Sequence, residues 1–262
     1  MTFKKLITGS LCLALCAAML AGCQQQQPSG PQITTEAGVL IMATNAEFPP
    51  YEFWEGDRIV GIDAEVAEAI AGKLGLTLRI DDMEFNSILA AVTTGRADIG
   101  MAGMTVTEER MESVNFSTSY ATGVQVIIVR EGSPIGSADD LFDIGGFTIG
   151  VQESTTGDLY TTWDLEDEGL ATIQRYRRGA DAVQSLVTGR VDCVVIDNEP
   201  AKAFVAANPG LLILDTEFAV EDYAIAFSKE STALLEAVDK ALNELIADGT
   251  VQSIIDKYIQ AQ

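Results

Sequence analysis

The chain has 262 residues, with 39 acidic against 16 basic side chains, a net charge of −23 and no histidine. That balance argues against a nucleic-acid partner, and the missing histidine removes the commonest general base, the serine-type triads and most zinc sites. No metal or other cofactor is expected, and the length allows one large or two small domains.

Lys4 and Lys5 precede an apolar run from Leu6 to Leu20, which ends in Leu20-Ala21-Gly22-Cys23. This is a secretory signal over residues 1–22, too short to be taken first as a membrane span. Cys23 directly after Leu-Ala-Gly resembles the lipobox of bacterial lipoproteins, in which that cysteine carries the lipid. Gln24 to Gln27 and Pro28-Ser29-Gly30-Pro31 cannot build a core, so residues 23–38 are expected to be a lipid-anchored flexible tether. Cys12 and Cys16 leave with the signal. Cys193 then stands alone in an apolar strand, where packing is its expected role.

Val39 to Ala43 is a continuous apolar run of the kind buried in a parallel sheet, and Pro49-Pro50 forbids its continuation. A hairpin around Glu55-Gly56-Asp57 leads to a helix capped by Asp63 and closed by Gly75, then a strand from Thr77 to Ile80. Asn86 is expected to cap the next helix. Leu89-Ala-Ala-Val92-Thr-Thr94-Gly95-Arg96-Ala-Asp98-Ile-Gly100 ends that helix and opens a strand. Thr107 caps a short helix, and Gly123 to Val129 leaves this first lobe.

The second lobe restarts with a capped turn at Ser137, a strand from Phe147 to Val151, and a helix opened by Ser154-Thr155-Thr156-Gly157. Val183-Gln-Ser-Leu186-Val-Thr188-Gly189-Arg190-Val-Asp192-Cys-Val194 then repeats the earlier phrase: helix end, Thr-Gly-Arg stop with a left-handed glycine, Asp-led apolar strand. A helix from Pro200, a strand from Leu211 and a return crossing from Tyr223 to Phe227 follow. Two last helices, capped by Ser231 and Thr250, pack back onto lobe one. Lobe one therefore spans 39–121 and 224–262, and lobe two 122–223 with hinge strands at its ends. In open α/β sheets ligands sit outside the carboxyl ends of strands. Two similar lobes, each with a polar strand end, imply a ligand held between them.

Several residues stand out at those strand ends. Arg110 offers a planar guanidinium suited to a carboxylate, or it pairs on a helix surface with Glu109 or Glu112. Gly103 and Thr105 lie on the same loop. Gln152, Thr155 and Thr156 sit at a strand-to-helix turn whose free amides suit an anion, although N-capping alone would satisfy either threonine. Asp197 ends an apolar strand and suits an ammonium, or caps the Pro200 helix. Phe48 and Phe85 could flank a ligand body, or belong to the core.

Together these segments resemble the polar amino-acid type (family 3) of extracytoplasmic solute-binding protein that feeds bacterial ABC importers. The matching stretches are Ala43 to Glu52, Gly61-Ile62-Asp63, Phe85, Ala102 to Arg110, Val114 to Ser117 with Tyr120, Thr155-Thr156, and Asp197 with Pro200. The resemblance implies a type II periplasmic-binding-protein fold, two α/β lobes joined by two crossing strands around a ligand cleft. It also implies a monomer with no catalytic residue, anchored outside the cytoplasm by lipid on Cys23, serving a permease and its ATPase. Arg110 and Thr156 would take the α-carboxylate, Asp197 and Thr105 the α-ammonium, and Phe48 and Phe85 the side chain. Asn45 stands where the family often has Asp, and Gln152 at a position that is elsewhere Lys or Leu. Two neutral amides favour a polar or uncharged side chain, unless Glu47 points inward. The alternatives are a basic amino-acid binder, a dehydratase-like enzyme or a sensory receptor on this scaffold.

Overall fold

A computed structural model describes residues 32–259; the signal segment, Cys23 and the tether as far as Pro31 lie outside them. Chain order is β1 (Val39–Thr44), β2 (Glu47–Phe48), β3 (Glu52–Glu55), β4 (Arg58–Val60), α1 (Ile62–Leu74), β5 (Thr77–Asp82), α2 (Ile88–Thr93), β6 (Ile99–Gly100), α3 (Glu108–Ser113) and β7 (Val114–Phe116). It continues with β8 (Ala121–Arg130), α4 (Asp140–Asp143), β9 (Phe147–Gln152), α5 (Thr156–Thr161), β10 (Ala171–Tyr176), α6 (Gly179–Val187), β11 (Cys193–Asp197) and α7 (Asn198–Ala207). The last elements are β12 (Leu211–Ile213), β13 (Ala219–Tyr223), β14 (Ala226–Ser228), α8 (Thr232–Ala247) and α9 (Thr250–Tyr258).

These make two α/β lobes. The first sheet has the order β5-β1-β6-β14-β7, the second β10-β9-β11-β8-β12 with β13 also on β8. In the first sheet β1 lies between β5 and β6 and parallel to both; in the second β9 lies likewise between β10 and β11, with β8 antiparallel beyond β11. That leaves a crevice at the carboxyl end of β1 and β6, and another beyond β9 and β11. The apolar run of β1 is explained by burial on both sides: Leu40 and Met42 face one core cluster, Ile41 and Ala43 another. Lobe two repeats this, with Val194 and Ile196 on one side of β11 and Cys193 and Val195 on the other. Cys193 is buried and free, and burial pushes its thiol up in pKa, so packing is its role.

Both repeated phrases fold alike. Gly95 (φ 71°) and Gly189 (φ 74°) take the left-handed turn after their helices. Asp98 then accepts from the Ile41 amide of β1 at 2.8 Å, as Asp192 accepts from the Thr148 amide of β9 at 2.8 Å. Each carboxylate thus pins its own strand to the neighbour that begins the lobe. The lobes are linked by β8 and by β13, which pair antiparallel from Ala121 with Tyr223 to Gln125 with Ala219. The chain then enters β14 in the first sheet, so the return crossing starts at Ala219, earlier than Tyr223. Helices α8 and α9 pack against α1 in lobe one.

Several expected caps are corrected. Asp63 lies inside α1 behind Gly61 and is fully buried. Asn86 sits in a 3-10 turn (Phe85–Ser87) and reaches Glu153 of lobe two at 3.2 Å. Ser231 makes no capping bond, and Gly249, not Thr250, precedes α9. The tether also ends sooner than residue 38: Ile33 packs on the core, Thr34 is buried, and the Thr35 amide donates to Asp98 at 2.7 Å.

Candidate functional site

Between the lobes lies a small cavity lined by residues of both. Asn45, Phe48, Phe85, Gly103, Thr105 and Arg110 line it from lobe one. Gln152, Thr155, Thr156 and Asp197 line it from lobe two. Every residue picked out at the strand ends therefore borders one space, and Glu52 and Ala102 join them.

Arg110 is buried, not a surface partner of Glu109 or Glu112. Thr107 caps α3 by accepting from the Arg110 amide at 3.1 Å, which fixes where the side chain departs. The guanidinium donates to the Thr105 carbonyl at 2.8 Å and to the Ser154 carbonyl of lobe two at 3.0 Å. Its carbon stands 5.5 Å from the Phe85 ring centre, a cation–π contact. Burial lowers its pKa and Glu221 opposes this; a guanidinium stays charged regardless. Ser154 adopts φ 65°, unusual for a residue with a Cβ, and that turn delivers its carbonyl to Arg110.

Asp197 precedes α7 but makes no capping bond. Its oxygens instead accept from the Gln125 amide at 2.8 Å and from the Tyr223 hydroxyl. The same Gln125 nitrogen lies 3.2 Å from Glu221 and 3.2 Å from the Thr156 hydroxyl. Glu221 in turn accepts from the Thr105 hydroxyl at 3.0 Å. Burial raises the Asp197 pKa well above the usual carboxylate range, and nearby Glu221 raises it further. Thr155 does act as the cap of α5, accepting from the Asp158 amide, while Thr156 is buried against the network.

At the opposite end, Gln152 donates to the Asn45 side-chain oxygen at 3.0 Å, and Asn45 donates to the Met83 carbonyl at 3.0 Å. Glu47 does not line the cavity. It is half-buried at the rim and pairs with Arg178 of lobe two at 3.2 Å; burial is the main cause of its raised pKa.

Sequence reasoning missed the second layer. Gln125, Glu221, Glu52 and Asp63 are all buried, as are Tyr120 and Tyr223. Asp63 accepts from the Gly103 amide at 2.9 Å and the Tyr120 hydroxyl at 2.7 Å, so it holds the cavity-lining loop in place. Burial lifts its pKa to about 6 despite those bonds. The signal available for Gln125 was a lone amide inside the apolar run Gly123 to Val129.

Two lobes hinged on paired strands, closed over a cavity with a cation on one wall and carboxyls on the other, define a solute-binding receptor. Among the described residues no helix is long and apolar enough to cross a membrane. The family model for bacterial extracellular solute-binding proteins, family 3, matches residues 40–261, and the chain belongs to that family. It is 34% identical over 226 residues to the arginine-binding extracellular protein ArtP of Bacillus subtilis, covering 85% of this chain and 87% of that one. An ancestral arginine-binding protein solved with arginine superposes with a TM-score of 0.79 at 39% identity, covering 85% of this chain and 98% of that one. An ancestral arginine-binding protein bound to glutamine superposes with a TM-score of 0.78 at 38% identity, covering 86% of this chain and 99% of that one. These relatives are named as binding proteins, not enzymes.

Proposed function

We propose that the cavity holds one L-amino acid and that the closed receptor delivers it to the permease and ATPase of an ABC importer. Arg110 and Thr156 take the α-carboxylate, Asp197 and Thr105 the α-ammonium. The side chain lies between Phe48 and Phe85 and points towards Asn45 and Gln152. The observation that carries this reading is the pairing of a buried guanidinium with a buried carboxyl across one small cavity. Micromolar binding needs about −8 kcal/mol. Hydrogen bonds to charged groups at roughly 1.5–3 kcal/mol each, with aromatic packing, supply that. Before the lobes close, the protein sits outside the cytoplasm, tethered as a monomer by lipid on Cys23.

The side-chain end favours an uncharged polar group, as in glutamine. Its polar walls are the Asn45 and Gln152 amides, and Glu47 is turned to Arg178. A second reading, a cationic side chain, is favoured by the surplus of buried carboxyls, Glu52, Asp63, Asp197 and Glu221, over the guanidinium. The naming of relatives as arginine-binding adds to it. Thermal unfolding against the twenty amino acids decides. Ligand at 100 times its dissociation constant stabilises by about 2.7 kcal/mol. Glutamine shifting the melt more than arginine supports the first reading, the reverse order the second. Silence with all twenty discards the amino-acid assignment.

A further inference from the structure

Glu52 lines the cavity but has been given no ligand contact. It is 0% exposed, at the start of β3; no donor reaches either of its carboxyl oxygens, and its polar partner is the Asp63 carboxyl, to which it donates when protonated. A buried carboxylate left unsolvated and unpaired is among the costliest groups a protein can hold, and such a group takes up a proton instead. The charged groups that act on it are all acids: Asp63 from α1, Asp197 from β11 and Asp82 from β5. Tyr120, whose hydroxyl is committed to Asp63, and Tyr51 are further titratable neighbours. Each of those carboxylates has donors of its own: Asp63 the Gly103 amide and Tyr120, Asp197 the Gln125 amide and Tyr223, Asp82 the Ala46 amide and Trp54. Glu52 alone among them has none. Burial and these three acids all hold its pKa well above the usual carboxylate range.

We propose that Glu52 is a proton-exchanging member of the amino-acid site, neutral until a ligand's ammonium enters the cavity and ionised once it is there. The step is balanced: the Glu52 carboxyl O–H breaks, its proton goes to bulk water, and the carboxylate left behind shares the positive charge the ligand brings. Binding is then linked to proton release. Affinity rises with pH by up to about tenfold per unit between the pKa of the bound and the free protein. This rests on the amino-acid reading above and adds a role for a residue whose polar partner is another acid.

Calorimetric titration of the purified protein with L-glutamine and L-arginine at one pH, in phosphate and in Tris, tests it. These buffers differ in ionisation enthalpy, so proton release makes the apparent binding enthalpies differ. The expected result is a buffer-dependent enthalpy for the wild type, and in E52Q a smaller buffer dependence and a shallower rise of affinity with pH, Asp197 accounting for what remains. Glutamine is isosteric, and a merely structural role for Glu52 would leave the proton count unchanged. Binding with equal enthalpies in both buffers for the wild type would overturn the proposal alone, as would an unchanged proton release in E52Q. No binding of any amino acid would overturn the amino-acid reading together with it.

Discussion

The two lobes open on the same phrase and end it differently. In lobe one the strand after Asp98 is only two residues, Ile99–Gly100, and yields to a loop through Gly103 (φ 53°) before Arg110. In lobe two the strand after Asp192 runs five residues, Cys193–Asp197, and passes directly into α7. One repeat thus supplies a loop backed by a cation, the other a strand tipped with a carboxylate. Topology decides where the site lies, and the few residues past each strand end decide its charge.

Breaking either pole is expected to have the largest effect. Arg110→Ala should weaken binding of L-glutamine or L-arginine by about 3–5 kcal/mol, because a ligand carboxylate would be left buried and unpaired. Asp197→Asn should cost about 2–5 kcal/mol for the same reason at the ammonium. Calorimetry checks both, and wild-type affinity in either variant removes that residue from the site.

Asp63 sharpens the comparison through pH, since lobe one rests its loop on a carboxylate that the fold holds near pKa 6. An acid whose pKa is raised by folding contributes most below its unfolded value. Stability is therefore expected to fall between about pH 4 and pH 6, by roughly 3 kcal/mol for this group. Burial shifts Glu52 and Asp197 in the same direction. Denaturant midpoints across that window should decline for the wild type and decline less steeply in Asp63→Asn; an unchanged slope in the variant would refute the assignment.

The glycines probe where the repeat holds and where it fails. Gly95→Ala has open space and Gly189→Ala meets only Arg130 at 4.0 Å, so each should cost about 1–2 kcal/mol of stability through φ alone. Gly103→Ala should cost more and also impair binding, because its Cβ would meet the Phe48 ring at 2.9 Å. Equal melting temperatures for all three variants would contradict this. The smallest effect expected is that of Arg178→Ala. Loss of the exposed bridge to Glu47 should weaken closure by under about 1 kcal/mol, and less at high salt.

The repeat was legible because the left-handed glycine stop acts locally and the whole phrase recurs; what its aspartates hold, the Ile41 and Thr148 amides, is distant in sequence and was not. The second layer was not, because it inverts the polarity pattern. On β13, Val220 is 62% exposed while Glu221 is 4% exposed, so period-two reasoning turns the strand the wrong way. Val220 lies on the solvent side so that Glu221 can meet Thr105 and Gln125 at the hinge. Asp63 misled for a related reason. An acid at a helix start satisfies the capping rule on paper, whereas its partner, the Gly103 amide, is 40 residues away in sequence. Arg110 showed the opposite case, in which the Thr107 cap was local and correctly read.

Hydrogen counting at Gln125 brings out one more consequence. Its side-chain nitrogen carries two hydrogens and faces oxygens of Thr156, Asp197 and Glu221, while Glu221 Oε1 has no partner. The wall of lobe two is therefore short of donors and rich in carboxyl groups. A primary ammonium brings three hydrogens on one small nitrogen and fills that shortfall, whereas each N-methyl group would remove a donor and add bulk. On the proposed assignment, selection for an unmodified amino group rests with the hinge strands, away from the residues proposed to meet the side chain.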